Sequence, residues 1–245
     1  MLISISGFYG SGGNELGFAL GQKLNYPVYD GELMAKAVEA SGIDMRRSTL
    51  AFYDETDENI DKNFSTPFSS ALLKLQLDVL PIGRNENAVQ TVENRDSGLL
   101  SRFLDTVPTN VREGSPIRQK NEIEHLKQMQ TKVILEAAEI GDGIFLGRCS
   151  SQILRGRPDT LRIFATASIA SCRERIANKF SITNDAKLEK FIKRTNRRRA
   201  YFFETFTGLM WDDSENYDLC INTDYLGFDG TMALIESVLK LKQGK

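Results

Sequence analysis

Gly7-Phe8-Tyr9-Gly10-Ser11-Gly12-Gly13-Asn14-Glu15 is the stretch on which the reading of this chain turns. Before it, Leu2 to Ser6 is a short, apolar, β-prone run. After it, Leu16, Ala19, Leu20 and Leu24 recur at helical spacing. A glycine-rich loop between a strand and a helix lets successive backbone N–H groups turn toward an anion with no Cβ in the way. The helix behind it adds the positive end of its dipole. A plain tight turn is the competing reading, but four glycines within Gly7–Gly13 exceed what a turn requires. Phosphate is therefore the expected ligand, with Gly7, Gly10, Ser11, Gly12, Gly13, Asn14 and Glu15 as the nucleotide-binding residues.

Outward from the loop, Asn25-Tyr26-Pro27 stops the first helix and Pro27 to Asp30 reads as a second strand, with Glu32 to Ala40 a further helix. Asp44 to Pro81 holds amphipathic pieces, and Gly83 to Ser97 and Thr106 to Gln119 read as loops of an inserted segment. Order returns with a helix from Asn121 to Glu139. Gly143 to Gly147, Thr160 to Ala165 and Tyr217 to Asn222 are strand candidates. Ser150 to Leu154, Ser168 to Lys179, the basic run Leu188 to Phe206, and Thr231 to Leu241 are helix candidates. Five strands alternating with helices predict an α/β fold with an open, mostly parallel sheet and ligands at its carboxyl edge.

Composition sets outer limits. The 245 residues suffice for one domain with insertions or two small ones. Hydrophobic residues are 41%, charged residues 26% and the net charge −2, which argues against a generally basic nucleic-acid binder. No apolar run of about 18 residues occurs, so no transmembrane helix and no membrane partner are expected. Met1 to Ser6 lacks the basic and long apolar regions of a signal peptide. Three cysteines without C-x-x-C spacing fit a reducing, cytoplasmic setting. A single histidine, His125, argues against a His-rich metal site and against a Ser-His-Asp triad.

Against the pattern G-x-x-x-x-G-K-[ST], Gly7 and Gly12 fit, but Gly13 stands where the lysine belongs. Asn14 and Glu15 stand where hydroxyl residues hold Mg²⁺. The missing cation normally follows the phosphates into the transition state. Either another basic group substitutes, or the protein binds nucleotide and transfers phosphate poorly. Lys190, Arg194 and Arg198 share one side of a helix, being four apart, and Arg199 adjoins them. Some members of this run are a solvated face. Arg194, Arg198 and Arg199 are the catalytic candidates, expected to supply the charge that Gly13 does not. Asp30 either contacts an acceptor or caps the helix beginning near Gly31. Arg148 either binds a phosphate or pairs with a surface carboxylate, and Arg175 is either a lid arginine or a solvated one. Trp211, Tyr217 and the three cysteines read as packing residues.

Gly10-Ser11-Gly12-Gly13 with Glu15, Tyr29-Asp30, Gly147-Arg148-Cys149, Arg199-Ala200-Tyr201-Phe202 with Thr207-Gly208, Trp211-Asp212, and Asn216 to Thr223 together resemble the cytidylate kinase-like family. The resemblance spans the chain except for about Gly83 to Gln119, and in this family the loop lysine is commonly absent. It implies a three-layer P-loop NTPase-like kinase fold. Within a single domain, residues 31–140 would form a monophosphate-binding helical region carrying the insertion 83–119, and residues 175–212 a basic lid. It implies ATP and Mg²⁺ as cofactors, nucleotides as partners, and transfer of the γ-phosphoryl group to CMP or dCMP. Asp30, Arg148 and Arg175 are then the acceptor-binding residues. The departures are Asn14 in place of a basic residue, Cys149 in place of an aspartate, and Asn196 where an aspartate is typical.

Overall fold

The computed structural model describes residues 1–30, 116–180 and 185–244. In chain order they form β1 (Leu2–Gly7), α1 (Gly13–Leu24), β2 (Val28–Tyr29), α2 (Pro116–Ile140), β3 (Gly143–Leu146) and α3 (Ser150–Ile153). Then follow β4 (Thr160–Thr166), α4 (Ile169–Phe180), α5 (Asp185–Thr207), β5 (Leu219–Asn222) and α6 (Thr223–Lys242). The expected helix Glu32–Ala40, the pieces of Asp44–Pro81 and the loop Gly83–Ser97 lie outside the described residues. Two compact units divide the chain: Met1–Val28 with Gly141–Lys245, and Tyr29–Ile140. The glycine-rich loop belongs to the first, and of the second only Tyr29, Asp30 and α2 are described.

The sheet runs in the order β2-β3-β1-β4-β5, with β1 at its centre. β1 pairs in parallel with both β3 and β4, and β4 in parallel with β5. Alternation along the strands sorts the two faces. Ile3, Ile5, Leu161 and Ile163 turn to one side and pack with Leu16 and Leu20 of α1 and Met232, Ile235 and Leu239 of α6. Ser4, Ser6 and Phe164 turn to the other. There the Ser4 and Ser150 hydroxyls bond at 2.7 Å, and Phe164 packs with Phe203, Trp211 and Tyr217. The result is the expected three-layer α/β arrangement, with β1 delivering the loop to the middle of the sheet's carboxyl edge. Among the described residues no helix is long and apolar enough to cross a membrane.

Two boundaries differ from the sequence reading. Of the loop expected over Thr106–Gln119, residues 106–115 lie outside the described residues and 116–119 are helical: α2 opens at Pro116, where proline is favoured because its absent N–H would have no helical acceptor. The closing helix begins at Thr223, not Thr231: Asn222 caps it by accepting from the Asp224 N–H at 3.0 Å, and Gly227 (φ 66, ψ 178) kinks it. That glycine hid the first turn from a periodicity reading.

Asp218 fastens β5 to β4. Its carboxylate accepts from the Arg162 backbone N–H at 2.9 Å and from the guanidinium at 3.1 and 2.7 Å. Burial alone would raise this carboxyl, but the Arg162 bonds outweigh it and hold it below the ordinary aspartate range. A carboxyl lowered in the folded state stabilises above its unfolded pKa and loses that contribution as pH falls through the folded one. The pair is partly exposed and screened, so Asp218→Asn is expected to cost on the order of 1 kcal/mol near neutrality. In urea unfolding series the gap between variant and wild type should close as pH falls through the lowered pKa of Asp218.

Candidate functional site

The loop turns left-handed twice, at Gly10 (φ 84) and at Gly12 (φ 86), with Ser11 between them. A Cβ on Gly10 would also come 2.8 Å from the Cys172 carbonyl oxygen, so glycine is required there for both conformation and room. Gly12 is the N-cap of α1 and offers no side chain of its own to the helix.

What fixes the loop is the way its carbonyls are held. Arg199 on α5 donates from Nη1 to the Gly7 carbonyl at 2.9 Å and lies over the Tyr9 ring, 5.1 Å from its centroid. Arg175 on α4 donates from Nη1 to the Gly10 carbonyl at 3.1 Å, and its Nη2 pairs with Asp224 at 3.0 Å. The buried Thr223 hydroxyl reaches the Ser11 carbonyl at 2.8 Å. The Tyr9 N–H donates to Asn196 Oδ1 at 2.7 Å, and the Phe8 N–H to the Ala165 carbonyl at 3.1 Å.

A trans peptide aims its N–H and C=O in opposite directions. Pinning the Ser11 carbonyl to Thr223 therefore turns the Gly12 N–H the other way. The Gly12 carbonyl accepts from the Leu16 N–H at 2.9 Å, as a helix start must, so the N–H groups of Gly13, Asn14 and Glu15 come free at the helix end. None of the four N–H groups from Gly12 to Glu15 has a protein acceptor among the described residues. The Ser11 hydroxyl is buried with no partner there either. Converging donors at a helix N-terminus with a spare hydroxyl form an anion cradle.

Aromatic packing stiffens the entry. Phe8 meets Phe164 and Trp211 edge-on at 5.3 and 5.8 Å, and Tyr9 meets Phe191 at 5.6 Å. Trp211 donates from Nε1 to the Ser6 hydroxyl at 3.0 Å, and the Tyr217 hydroxyl donates to the Trp211 carbonyl at 2.7 Å. Both are packing residues, as their sequence context led us to expect. Burial pushes the Tyr9 phenol up despite the opposing charge of Arg199, so Tyr9 stays neutral. Burial would also raise Asp224, but bonds from Ser168 and Ser171 and the charge of Arg175 hold it low, keeping it an anion.

The structure thus gathers the seven loop residues with Arg175 and Arg199. Arg194 and Arg198, four apart on α5, lie about 100° or more round the helix from Asn196 and Arg199, which reach the loop. Arg148 sits at the carboxyl end of β3 in a turn where Gly147, Arg148 and Cys149 are all left-handed (φ 68, 54 and 58). Asp30 follows β2 at the start of the second unit. Asn196, read from sequence as a lost carboxylate, keeps the oxygen that Tyr9 needs and removes only the charge. Asp224 and Lys179, whose Nζ lies 3.2 Å from Glu15 Oε1, were not singled out from the sequence, and Thr223 entered only as the last residue of a family-like run. Only the four-residue spacing of Arg175 and Lys179 signals that they share a helix face.

A glycine-rich loop joining the central parallel strand to a helix, within three layers, defines a P-loop kinase-like α/β protein. The chain belongs to the Cytidylate kinase-like family, which it matches over residues 2–225. It is similar over 98% of both chains to the crystal structure of an uncharacterized protein from Eubacterium ventriosum ATCC 27560, with TM-score 0.54 and 16% identity. A shikimate kinase from Bacteroides thetaiotaomicron matches over 98% of both chains with TM-score 0.42 and 12% identity. No curated protein sequence matches. Family membership supports a kinase acting on a nucleotide or another small molecule and leaves the acceptor open.

Thr223→Val keeps the side-chain volume and removes the pin on the Ser11 carbonyl. One hydrogen bond is worth about 1 kcal/mol net, so ATP affinity measured by calorimetric titration is expected to fall roughly fivefold to tenfold, with the circular dichroism spectrum unchanged.

Proposed function

We propose that this protein transfers the γ-phosphoryl group of ATP to a nucleoside monophosphate, CMP or dCMP. The observation that carries the proposal is the loop whose carbonyls are pinned outward, leaving the N–H groups of Gly12 to Glu15 for phosphate oxygens. An acceptor oxygen attacks the γ-phosphorus, the bond to the β,γ-bridging oxygen breaks, and two diphosphates leave. No covalent enzyme intermediate is needed, so catalysis is alignment plus charge neutralisation.

In this reading Arg175 and Arg199 hold the loop in shape and add positive charge beside it. Arg148, on the same sheet edge, binds the acceptor's phosphate as a planar fork suits. Asp30 and residues 31–140 form the acceptor-binding region, and residues 175–212 the lid. Among the described residues no cluster of three His, Cys, Asp or Glu side chains could hold a metal by itself. The oxygen donors at the loop, Ser11, Asn14 and Glu15, fit an Mg²⁺ carried chiefly by the nucleotide. When bound, Mg²⁺ neutralises charge on the β- and γ-phosphate oxygens.

A second reading, a kinase of another small acceptor, rests on Cys149. Where an aspartate is typical of the family, this residue is buried and packs with Phe164, Phe203, Trp211 and Tyr217. Its side chain is therefore turned into the core, and acceptor recognition must differ at that point.

The test is a panel of nucleoside monophosphates, nucleosides and small hydroxylated acids incubated with ATP and Mg²⁺, the products separated by ion-exchange chromatography. CDP or dCDP is the expected product; another phosphorylated acceptor favours the second reading. Tight ATP binding with no product would leave a nucleotide-binding regulator. The Arg198→Ala/Arg199→Ala double variant is expected to lose at least about tenfold in turnover, since one lost charged contact is worth that much. Normal transfer would show that the Arg199 bond to the Gly7 carbonyl is dispensable for the loop.

A further inference from the structure

The proposed function leaves one question: which cation replaces the lysine that Gly13 displaces. Arg175 and Arg199 are each fixed in place by the loop carbonyl they hold, and only their remaining N–H donors are left for a ligand. Lys179 is placed differently. Cys172, Arg175 and Lys179 recur at three- and four-residue spacing on α4, so one face of this helix lies along the loop. Cys172 backs Gly10, Arg175 holds the Gly10 carbonyl, and Lys179 reaches Glu15 in the first turn of α1. Glu15 is also the last of the four residues whose N–H groups are open.

The bond from Lys179 to Glu15 joins two side chains, with 26% and 52% of their side-chain surfaces exposed. A pair so placed is screened and cheap to break, and letting go of it moves no backbone. A phosphate group carries more charge than a carboxylate and binds an ammonium well. We infer that Lys179 is the phosphate-binding cation of this site, standing in from α4 for the absent loop lysine, with Glu15 as the group it exchanges for phosphate. The inference rests on the phosphate-binding reading of the loop. The ammonium arrives from a neighbouring helix instead of from the loop's own backbone.

Calorimetric titration with inorganic tripolyphosphate, and separately with ATP, tests this on wild type, Lys179→Ala, Lys179→Arg, Glu15→Gln and Glu15→Gln/Lys179→Ala. Thermal unfolding confirms that each variant is folded; Lys179→Gln replaces the alanine variant if that one is not. Lys179→Ala is expected to weaken both ligands about tenfold or more, Lys179→Arg to restore most of the loss, and Glu15→Gln to tighten binding. The deciding comparison is the double variant. If Lys179 contacts phosphate, it remains about fivefold or more weaker than Glu15→Gln. Equal affinities of those two would mean that Lys179 merely neutralises Glu15, overturning the inference, as would a Lys179→Ala variant matching wild type. Wild type that binds neither ligand would instead remove the phosphate-binding reading itself.

Discussion

The orientation of one peptide unit after another governs this site. Gly7, Gly10 and Ser11 each present a carbonyl to a donor from outside the loop: a guanidinium of α5, a guanidinium of α4, and a hydroxyl at the start of α6. An isolated loop of this composition would satisfy its own N–H groups with its own carbonyls, as Ser11 and Phe8 do here. The outside donors prevent that collapse further along. The two guanidinium bonds are worth about 1.5–3 kcal/mol each when shielded and less when exposed, and the neutral Thr223 hydroxyl adds about 1 kcal/mol against the loop's internal alternatives. The open Gly12 N–H is then a consequence of carbonyl placement, and those of Gly13 to Glu15 follow from the start of α1.

Because those donors come from three different helices, the site depends on the packing that brings the helices together. Ile3, Ile5, Leu161 and Ile163 seat α1 and α6 on one face of the sheet, which sets the distance from Thr223 to Ser11. Cys172, Ile176, Leu188 and Ile192 join α4 to α5, which fixes Arg175 and Arg199 on either side of the loop. Asp224 couples these systems, since it accepts from Arg175 and from the Ser168 N–H together. The same logic explains why Asn196 is compatible with the site. An aspartate would accept from Tyr9 equally well but would add a negative charge beside an anion cradle. Asn196 keeps the bond and removes the repulsion.

The parts legible in sequence were those governed by local rules. The glycine spacing, the apolar run before it and the helical periodicity after it are properties of neighbouring residues. β1, the loop and α1 follow from them within a residue or so. The pins were not legible, because nothing local tells Arg175 or Thr223 that Gly10 and Ser11 lie next to them in space. Arg194, Arg198 and Arg199 entered as one basic run, and such a run does not disclose which face meets the loop. Lys179 left no separate mark; its meaning comes only from the placement of α4 against Glu15. The first turn of α6 was lost for the opposite reason: Gly227 looks like an end of structure, yet Asn222 and Asp224 had already capped a helix before it.

The turn after β3 shows how far such reasoning extends beyond the loop. Left-handed backbone at a residue with a side chain costs about 1–3 kcal/mol, and Arg148 and Cys149 incur it in succession. Glycine at either position would relieve the strain. The conformation persists because its flanks are held: the Ser150 N–H and hydroxyl both donate to the Gly147 carbonyl, at 3.0 and 2.7 Å, and Cys149 is buried against Phe164. Burial gives Cys149 a packing reason to be there. Arg148 is only partly buried and sits at the carboxyl edge of the sheet, so unlike Cys149 it is not held by the core. The structure therefore holds two cationic arrangements on one edge, one built by pinning a loop from outside and one by straining a turn from within. A phosphate donor and a phosphate acceptor would need separate sites of this kind.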